Sequence, residues 1–264
     1  MGGIVVSIED ATCLIRLDAP PANSFNSEMA TTLLATVADI RNNSAVRAVV
    51  ITGTGDKLFC AGSDLKELDR LAADGKGPAH LLNAEAAAFE ALAALPVPTV
   101  AAINGDAIGG GLELALCCDF ILAADHAKLS LPEIALGVFP GLGATARLPA
   151  RIGTTRAIEM MMLGRPIVAS LAESWGLINR CVAGAELMGE ALKLGQKMAR
   201  GPSAAMAAIK ASVRAAEQFP MREAVEIARE YAISHGASPE VAEGLRAFLS
   251  KERPNFTAIK RDVL

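Results

Sequence analysis

Glu113 and Glu133 stand 20 positions apart, each in apolar surroundings and each beside a glycine-containing turn. Glu113 follows the triplet Gly109-Gly110-Gly111 and is flanked by Leu112, Leu114, Ala115 and Leu116. A carboxylate buried among such neighbours is costly or shifts its pKa upward. It is either an acid set against the positive end of a helix or a general acid–base. Glu133 follows Leu131-Pro132 and precedes Ile134-Ala135-Leu136-Gly137. It reads either as a strand-end residue facing solvent or as the second member of a carboxylate pair. Two acids in such settings point to chemistry in which one takes a proton and the other gives one, although spacing alone does not make them meet.

Three glycine-rich segments could supply backbone donors. Residues 59–64, FCAGSD, lie between a strand-like run and a capped helix, and N–H groups at a helix entrance are unpaired. They form either an ordinary turn or a cradle for an anion or a polarised carbonyl oxygen. Residues 104–111, NGDAIGGG, also join a strand to a helix, and glycines there let the backbone approach another group closely. One amide from each loop would make an oxyanion hole. No Lys-Ser/Thr pair follows, so the second loop is not a P-loop. The third segment, GLGATA at 141–146, has the GxGxxA form of a dinucleotide fingerprint. It lacks the βα context that fingerprint needs, and a turn beside a pocket is the better reading. His80, His126 and His235 show neither ligand spacing nor a triad context, and no GxSxG elbow occurs.

The elements that must carry these loops alternate. Residues 4–8 and 13–17 read as short strands around a turn at Glu9-Asp10. Residues 26–40 read as a helix capped by Asn26 or Ser27, with Met29, Leu33, Leu34, Val37 and Ile40 at helical spacing. Residues 46–52 form a β-branched strand. Asp64-Leu65-Lys66-Glu67 has the form of a capping box that opens a helix. Residues 78–95 are helical, 97–103 an apolar strand, 112–116 a helix start, and 120–124 and 128–131 strands. Apolar strands alternating with helices predict a parallel sheet covered by helices. From residue 149 onward the chain reads as helices at 154–163, 169–175, 185–200, 203–217, 221–235 and 239–251, with one strand at 177–182. The Gly201-Pro202 break divides an α/β core, residues 1–200, from a helical region, residues 201–264. No repeat of fixed period is visible.

The 264-residue chain is 52% apolar and 20% charged with a net charge of −4, which argues against disorder, nucleic-acid binding and a polybasic membrane patch. The most apolar stretch, residues 86–103, is interrupted by Glu90, Pro96 and Pro98 and makes a poor membrane span. Five cysteines without CxxC spacing speak against a zinc site or disulfide framework and suit a reducing compartment. The expectation is a soluble, cytoplasmic α/β enzyme without a bound metal.

Taken together, the motifs resemble the enoyl-CoA hydratase/isomerase, or crotonase, family. The likeness rests on LDAPPANSFNSEM (17–29), FCAGSDLKEL (59–68), VAAINGDAIGGGLELALCCD (100–119), LPEIALGVFPGLGATARL (131–148), GRPIVASLAESWGLINRCV (164–182) and EGLRAFLSKERPNF (243–256), in order along nearly the whole chain. The resemblance implies a spiral of repeated ββα units followed by helices that assemble trimers, often paired into hexamers. It implies an acyl-CoA thioester substrate, with coenzyme A as part of that substrate and no separate cofactor. The oxyanion donors fall on Ser63 and Gly110. Ala61 and the segment Ser63, Asp64, Leu65 and Lys66 lie along the CoA chain, Ala22 lies towards its nucleotide end, and Gly141 leaves room beside the catalytic water. Glu113 corresponds to the base acting on water and Glu133 to the proton donor of a hydratase. An enoyl-CoA isomerase, a lyase or hydrolase of the same family, and a non-catalytic CoA- or RNA-binding relative are the alternatives. Ser63 stands where alanine is common in the family, and Ala144 and Ala146 where glycine and glutamine are usual.

Overall fold

Runs of buried β-branched and small residues build the centre of the fold. The computed structural model describes residues 3–75 and 77–261. Strand β1 (Gly3–Glu9) turns into β2 (Thr12–Asp18) through Asp10 and Ala11, both at positive φ, the geometry of a tight hairpin. Strands β3 (Ala48–Gly53), β5 (Thr99–Ile103), β7 (Phe120–Ala124) and β10 (Arg180–Val182) complete a six-stranded sheet in the order β1-β2-β3-β5-β7-β10. All of its pairings are parallel except β1 with β2. β3 and β5 are buried throughout, as a sheet covered on both faces requires.

A second, smaller sheet holds β4 (Leu58–Cys60), β6 (Asp106–Ile108), β8 (Lys128–Ser130) and β9 (Ile167–Val168), in that order. These strands have only two or three residues each. β4, β6 and β9 lie outside the sequence expectation, because runs this short cannot display a period of two. β3–β4, β5–β6 and β7–β8 each send one strand to each sheet and then enter helix, which is the expected ββα repeat. No period is legible in the sequence because the helical parts differ in length. After β4 come α2 (Leu65–Ala73) and α3 (Ala79–Ala93). After β6 comes only α4 (Gly110–Leu116). After β8 come a 3₁₀ turn (Glu133–Leu136), α5 (Ala144–Ile152) and α6 (Thr154–Leu163).

Helix α1 (Ser27–Asn42) is capped by Asn26, whose side chain accepts from Met29 N at 2.8 Å. It packs against α3, and Phe25, just ahead of it, meets Phe89 edge to face at 5.4 Å. Asp64 caps α2, accepting from Lys66 N and Glu67 N at 2.9 and 3.2 Å. The reciprocal half of the capping box does not form. Asp64 N donates to Phe25 O instead, and Glu67 accepts from Ser27 N and Oγ at the start of α1. The acid that sequence pairs with its own helix thus ties two helices together.

Helix α7 (Ala169–Trp175) leads through β10 to α8 (Leu187–Ala199), which lies across the large sheet; the absent side chain of Gly195 lets it approach Thr12 and Val50. The chain ends in α9 (Ser203–Gln218), α10 (Met221–His235), α11 (Pro239–Leu249) and a 3₁₀ turn. Arg47 fastens this region to the core by donating to Ala199 O, Gly201 O, Phe256 O and Ile259 O. No described helix is long and apolar enough to cross a membrane.

Candidate active site

The loop after β4 and the loop after β6 meet at their tips. Gly62 has φ +85°, and a Cβ on it would lie 2.9 Å from Gly110 N, so only glycine permits this approach. Phe25 holds the loop as a strand would: Phe25 N donates to Gly62 O and Phe25 O accepts from Asp64 N, at 2.9 and 2.6 Å. Ser63 N, between these two bonds, has no acceptor among the described residues. Gly110 N, at the first position of α4, has none there either. A Cβ on Gly110 would stand 3.6 Å from Ser63 N, which places the two free amides side by side. Two convergent N–H donors without acceptors can bind one oxygen that gains negative charge.

Glu113 lies one turn into α4 and is 2% exposed. Its Oε1 accepts from Leu142 N and Ala144 N at 2.8 and 2.9 Å, and its Oε2 has no partner among the described residues. Burial raises its pKa, while the two backbone bonds and Arg147 oppose that rise. The backbone after Gly141 therefore orients this carboxylate. Open space surrounds Gly141 where a side chain would project. Ala144 contributes through its amide, so its departure from the family pattern leaves the bond to Glu113 intact.

Glu133 begins the 3₁₀ turn after β8. Both its carboxylate oxygens are buried without a hydrogen-bonding partner among the described residues. Burial, with the nearby charge of Glu113 adding to it, pushes its pKa to about 7. It faces the first residue of the triplet: a Cβ on Gly109 would stand 3.1 Å from Glu133 Oε1. Gly109 has φ +54° and ψ −127°, a conformation that side chains rarely adopt. The two glutamates, separate in sequence, thus flank the same glycine triplet with unequal environments, one hydrogen-bonded and one bare.

The remaining predicted residues fall around this centre. Ala61 N donates to Ala22 O at 3.0 Å, so the loops that hold them are adjacent. Asp64 is committed as the α2 cap, and Leu65 and Lys66 are exposed on the first turn of that helix. His126 Nε2 donates to the carbonyl oxygens of Asp56 and Asn104, and His235 faces Glu240. Sequence reasoning missed Arg147, which binds Leu142 O and Glu90, and Glu85 of α3, which is wholly buried and accepts from Ser63 Oγ at 2.8 Å. The signal for Glu85 was present: it sits at helical spacing among Leu81, Ala88, Phe89 and Leu92. A cleft of about 720 Å³ between α3, α5 and α9 contains neither Glu113 nor Glu133, and its Lys210, Arg147 and Arg151 are each bonded to protein. Among the described residues no cluster of His, Cys, Asp or Glu could hold a metal ion.

Known proteins are similar to this chain over nearly all of its length. The sequence model of the enoyl-CoA hydratase/isomerase family matches residues 7–259. Carnitinyl-CoA dehydratase of Shigella flexneri is 38% identical over 245 residues, covering 91% of this chain and 92% of its own. The crystal structure of enoyl-CoA hydratase from Bacillus anthracis superimposes with a TM-score of 0.92 at 33% identity, over 96% of this chain and 98% of that one. Pseudomonas aeruginosa DspI does so with a TM-score of 0.89 at 32% identity, over 96% and 95%. With its two-sheet ββα spiral and its match to the family over nearly all of its length, this chain belongs to the enoyl-CoA hydratase/isomerase family, the crotonase fold.

Proposed function

We propose that the protein is an enoyl-CoA hydratase, adding water across the 2,3 double bond of an acyl-CoA thioester. One observation carries this reading: two amides without acceptors among the described residues lie side by side near two buried carboxylates of unlike environment. The thioester oxygen sits between Ser63 N–H and Gly110 N–H. Glu113, fixed through Oε1, uses Oε2 to orient water and takes its proton as the water oxygen bonds to C3. The π electrons move towards the thioester, whose oxygen gains charge against the two amides. Glu133, protonated below about pH 7, delivers a proton to C2. Removing an oxyanion donor costs about 10²–10³ in rate and removing acid–base action about 10²–10⁴. Neither contribution dominates, so both glutamates and both amides are required.

Coenzyme A runs past Ala61, Asp64, Leu65 and Lys66 with its nucleotide towards Ala22, and no separate cofactor takes part. The reverse reaction, dehydration of a 3-hydroxyacyl-CoA, uses the same groups, and the relatives named carnitinyl-CoA dehydratase support that direction as a second reading. Residues 201–264 assemble the chain into a homotrimer or a hexamer of two trimers. Exposed Met221, Ile233, Phe248 and Leu249 support this, since apolar groups of that size favour a covered surface. A cytoplasmic setting suits the five free thiols.

Product analysis with crotonyl-CoA and a 3-enoyl-CoA tests the reaction. Formation of 3-hydroxybutyryl-CoA from the first is expected. Migration of the double bond in the second, without water uptake, would favour an isomerase instead. Binding of both without turnover would contradict either enzyme.

A further inference from the structure

An acid interrupts the buried stripe of α3. Leu81, Glu85, Ala88, Phe89 and Leu92 face inward at helical spacing, and Glu85, in their midst, is 0% exposed. Its Oε2 accepts from Ser63 Oγ at 2.8 Å, while Oε1 has no partner among the described residues. A leucine would complete the stripe without this cost, and a locally unfavourable residue of this kind is expected where function requires it. Among the described residues, its one hydrogen-bond partner is Ser63. Phe25 grips the Ser63 loop through backbone bonds on both sides of the residue, and Glu85 grips its side chain from α3.

We propose that Glu85 is a positioning residue of the active site: through the Ser63 hydroxyl it fixes the peptide whose N–H is the first of the two free amide donors. This rests on the oxyanion reading of Ser63 and Gly110 given above. Its charge state follows from its surroundings. Burial raises its pKa to about 8, the bond from Ser63 opposes the rise, and Glu113 on α4 and Glu67 on α2 add to it. Cys60 on β4 is pushed up to about 12 and stays a neutral thiol. At pH 7 Glu85 is therefore a neutral acid that orders Ser63 without adding charge where the thioester oxygen must become negative. As pH rises through about 8 it ionises, and its charge opposes an enolate held by the neighbouring amides.

Acetoacetyl-CoA tests this, because its enolate absorbs in the near ultraviolet and reports directly on the donors. The full-length protein is titrated with it as wild type, E85Q, E85A, S63A and the E85A/S63A double variant, with thermal unfolding as the control for folding. The wild type is expected to raise the enolate fraction. E85A and S63A each weaken enolate binding about tenfold, and the double variant is no worse than either, since both act through one bond. E85Q, whose amide oxygen still accepts from Ser63, stays within about threefold of wild type at pH 7 and lacks the wild type's fall above about pH 8. Enolate binding by folded E85A equal to wild type overturns this proposal and leaves the amide pair standing. If E85A does not fold, the proposal is overturned equally by S63A binding like wild type or by E85Q keeping the wild-type fall above pH 8. A wild type that does not raise the enolate fraction overturns the amide pair and this proposal with it.

Discussion

Glu113 and Glu133 are the same side chain in two different settings. Two backbone amides hold one oxygen of Glu113, whereas the buried oxygens of Glu133 have no partner elsewhere among the described residues and the charge of Glu113 lies nearby. Hydrogen bonds to a carboxylate favour its charged form and burial favours its neutral form; burial raises both pKa values, and the two backbone bonds oppose that rise at Glu113, which supports the proposed roles of base for Glu113 and acid for Glu133. Because Glu133 must be protonated to donate and its pKa is about 7, kcat/KM is expected to fall as pH rises through about 7. A pH profile with the isosteric E133Q as control checks this; a wild-type rate still rising from pH 7 to 9 contradicts the donor role. The two glutamates were legible in the sequence because each is a lone acid among leucines or beside proline and glycine. Their convergence was not legible from local pattern, since it depends on Leu142 and Ala144 folding back onto Glu113. Glu85 interrupts a stripe that Leu81, Ala88, Phe89 and Leu92 outline at helical spacing, but its partner Ser63 lies 22 positions away and no local pattern joins the two.

Close approach between elements sets the donor geometry. Gly111, in the first turn of α4, lies so near the backbone of Cys60 that a Cβ there would overlap its carbonyl oxygen. Gly111→Ala is therefore expected to push α4 away from β4 and part the two amides. Overpacking of this kind costs about 1–3 kcal/mol, and hydration should fall by at least about tenfold as the amides separate. Thermal unfolding and turnover together check it; a variant equal to wild type in both would contradict the packing of β4 against α4. The long elements were readable from periodicity, and α6, α7 and α10 have the bounds expected from sequence. The small sheet was not, because strands of two or three residues owe their existence to neighbours supplied by other parts of the chain. α5 was missed for a related reason: its glycine-rich approach reads as a turn, and the chain does turn there before entering helix.

Across the whole molecule, a few polar side chains join the C-terminal helices to the large sheet. Lys210 of α9 reaches Asp119, at the start of β7, at 2.6 Å and donates to Val97 O at 2.8 Å. Asp119 in turn accepts from Thr99 N and Oγ1 on β5. Lys210→Met leaves Asp119 partly buried without its cation. Breaking a buried pair costs about 3–5 kcal/mol, but Asp119 keeps two hydrogen bonds and some exposure, so a loss of about 2 kcal/mol is expected. For a chain of this size that lowers Tm by roughly 4–8 °C. An unchanged Tm would mean that α9 is held by its apolar contacts alone. Gly201-Pro202, a break in the sequence, lies between α8 and α9; the polar ties that bridge it were not legible, since Arg47 and its acceptors lie more than 150 positions apart.

The most direct measurement of the central claim is turnover of crotonyl-CoA by E113Q and E133Q, with binding of the thioester measured in parallel. Each variant keeps the shape of its side chain and loses its proton chemistry. Each is expected to lose at least about 10² in kcat while binding the thioester nearly as well as wild type. Near-wild-type hydration by either variant would contradict the paired-carboxylate mechanism.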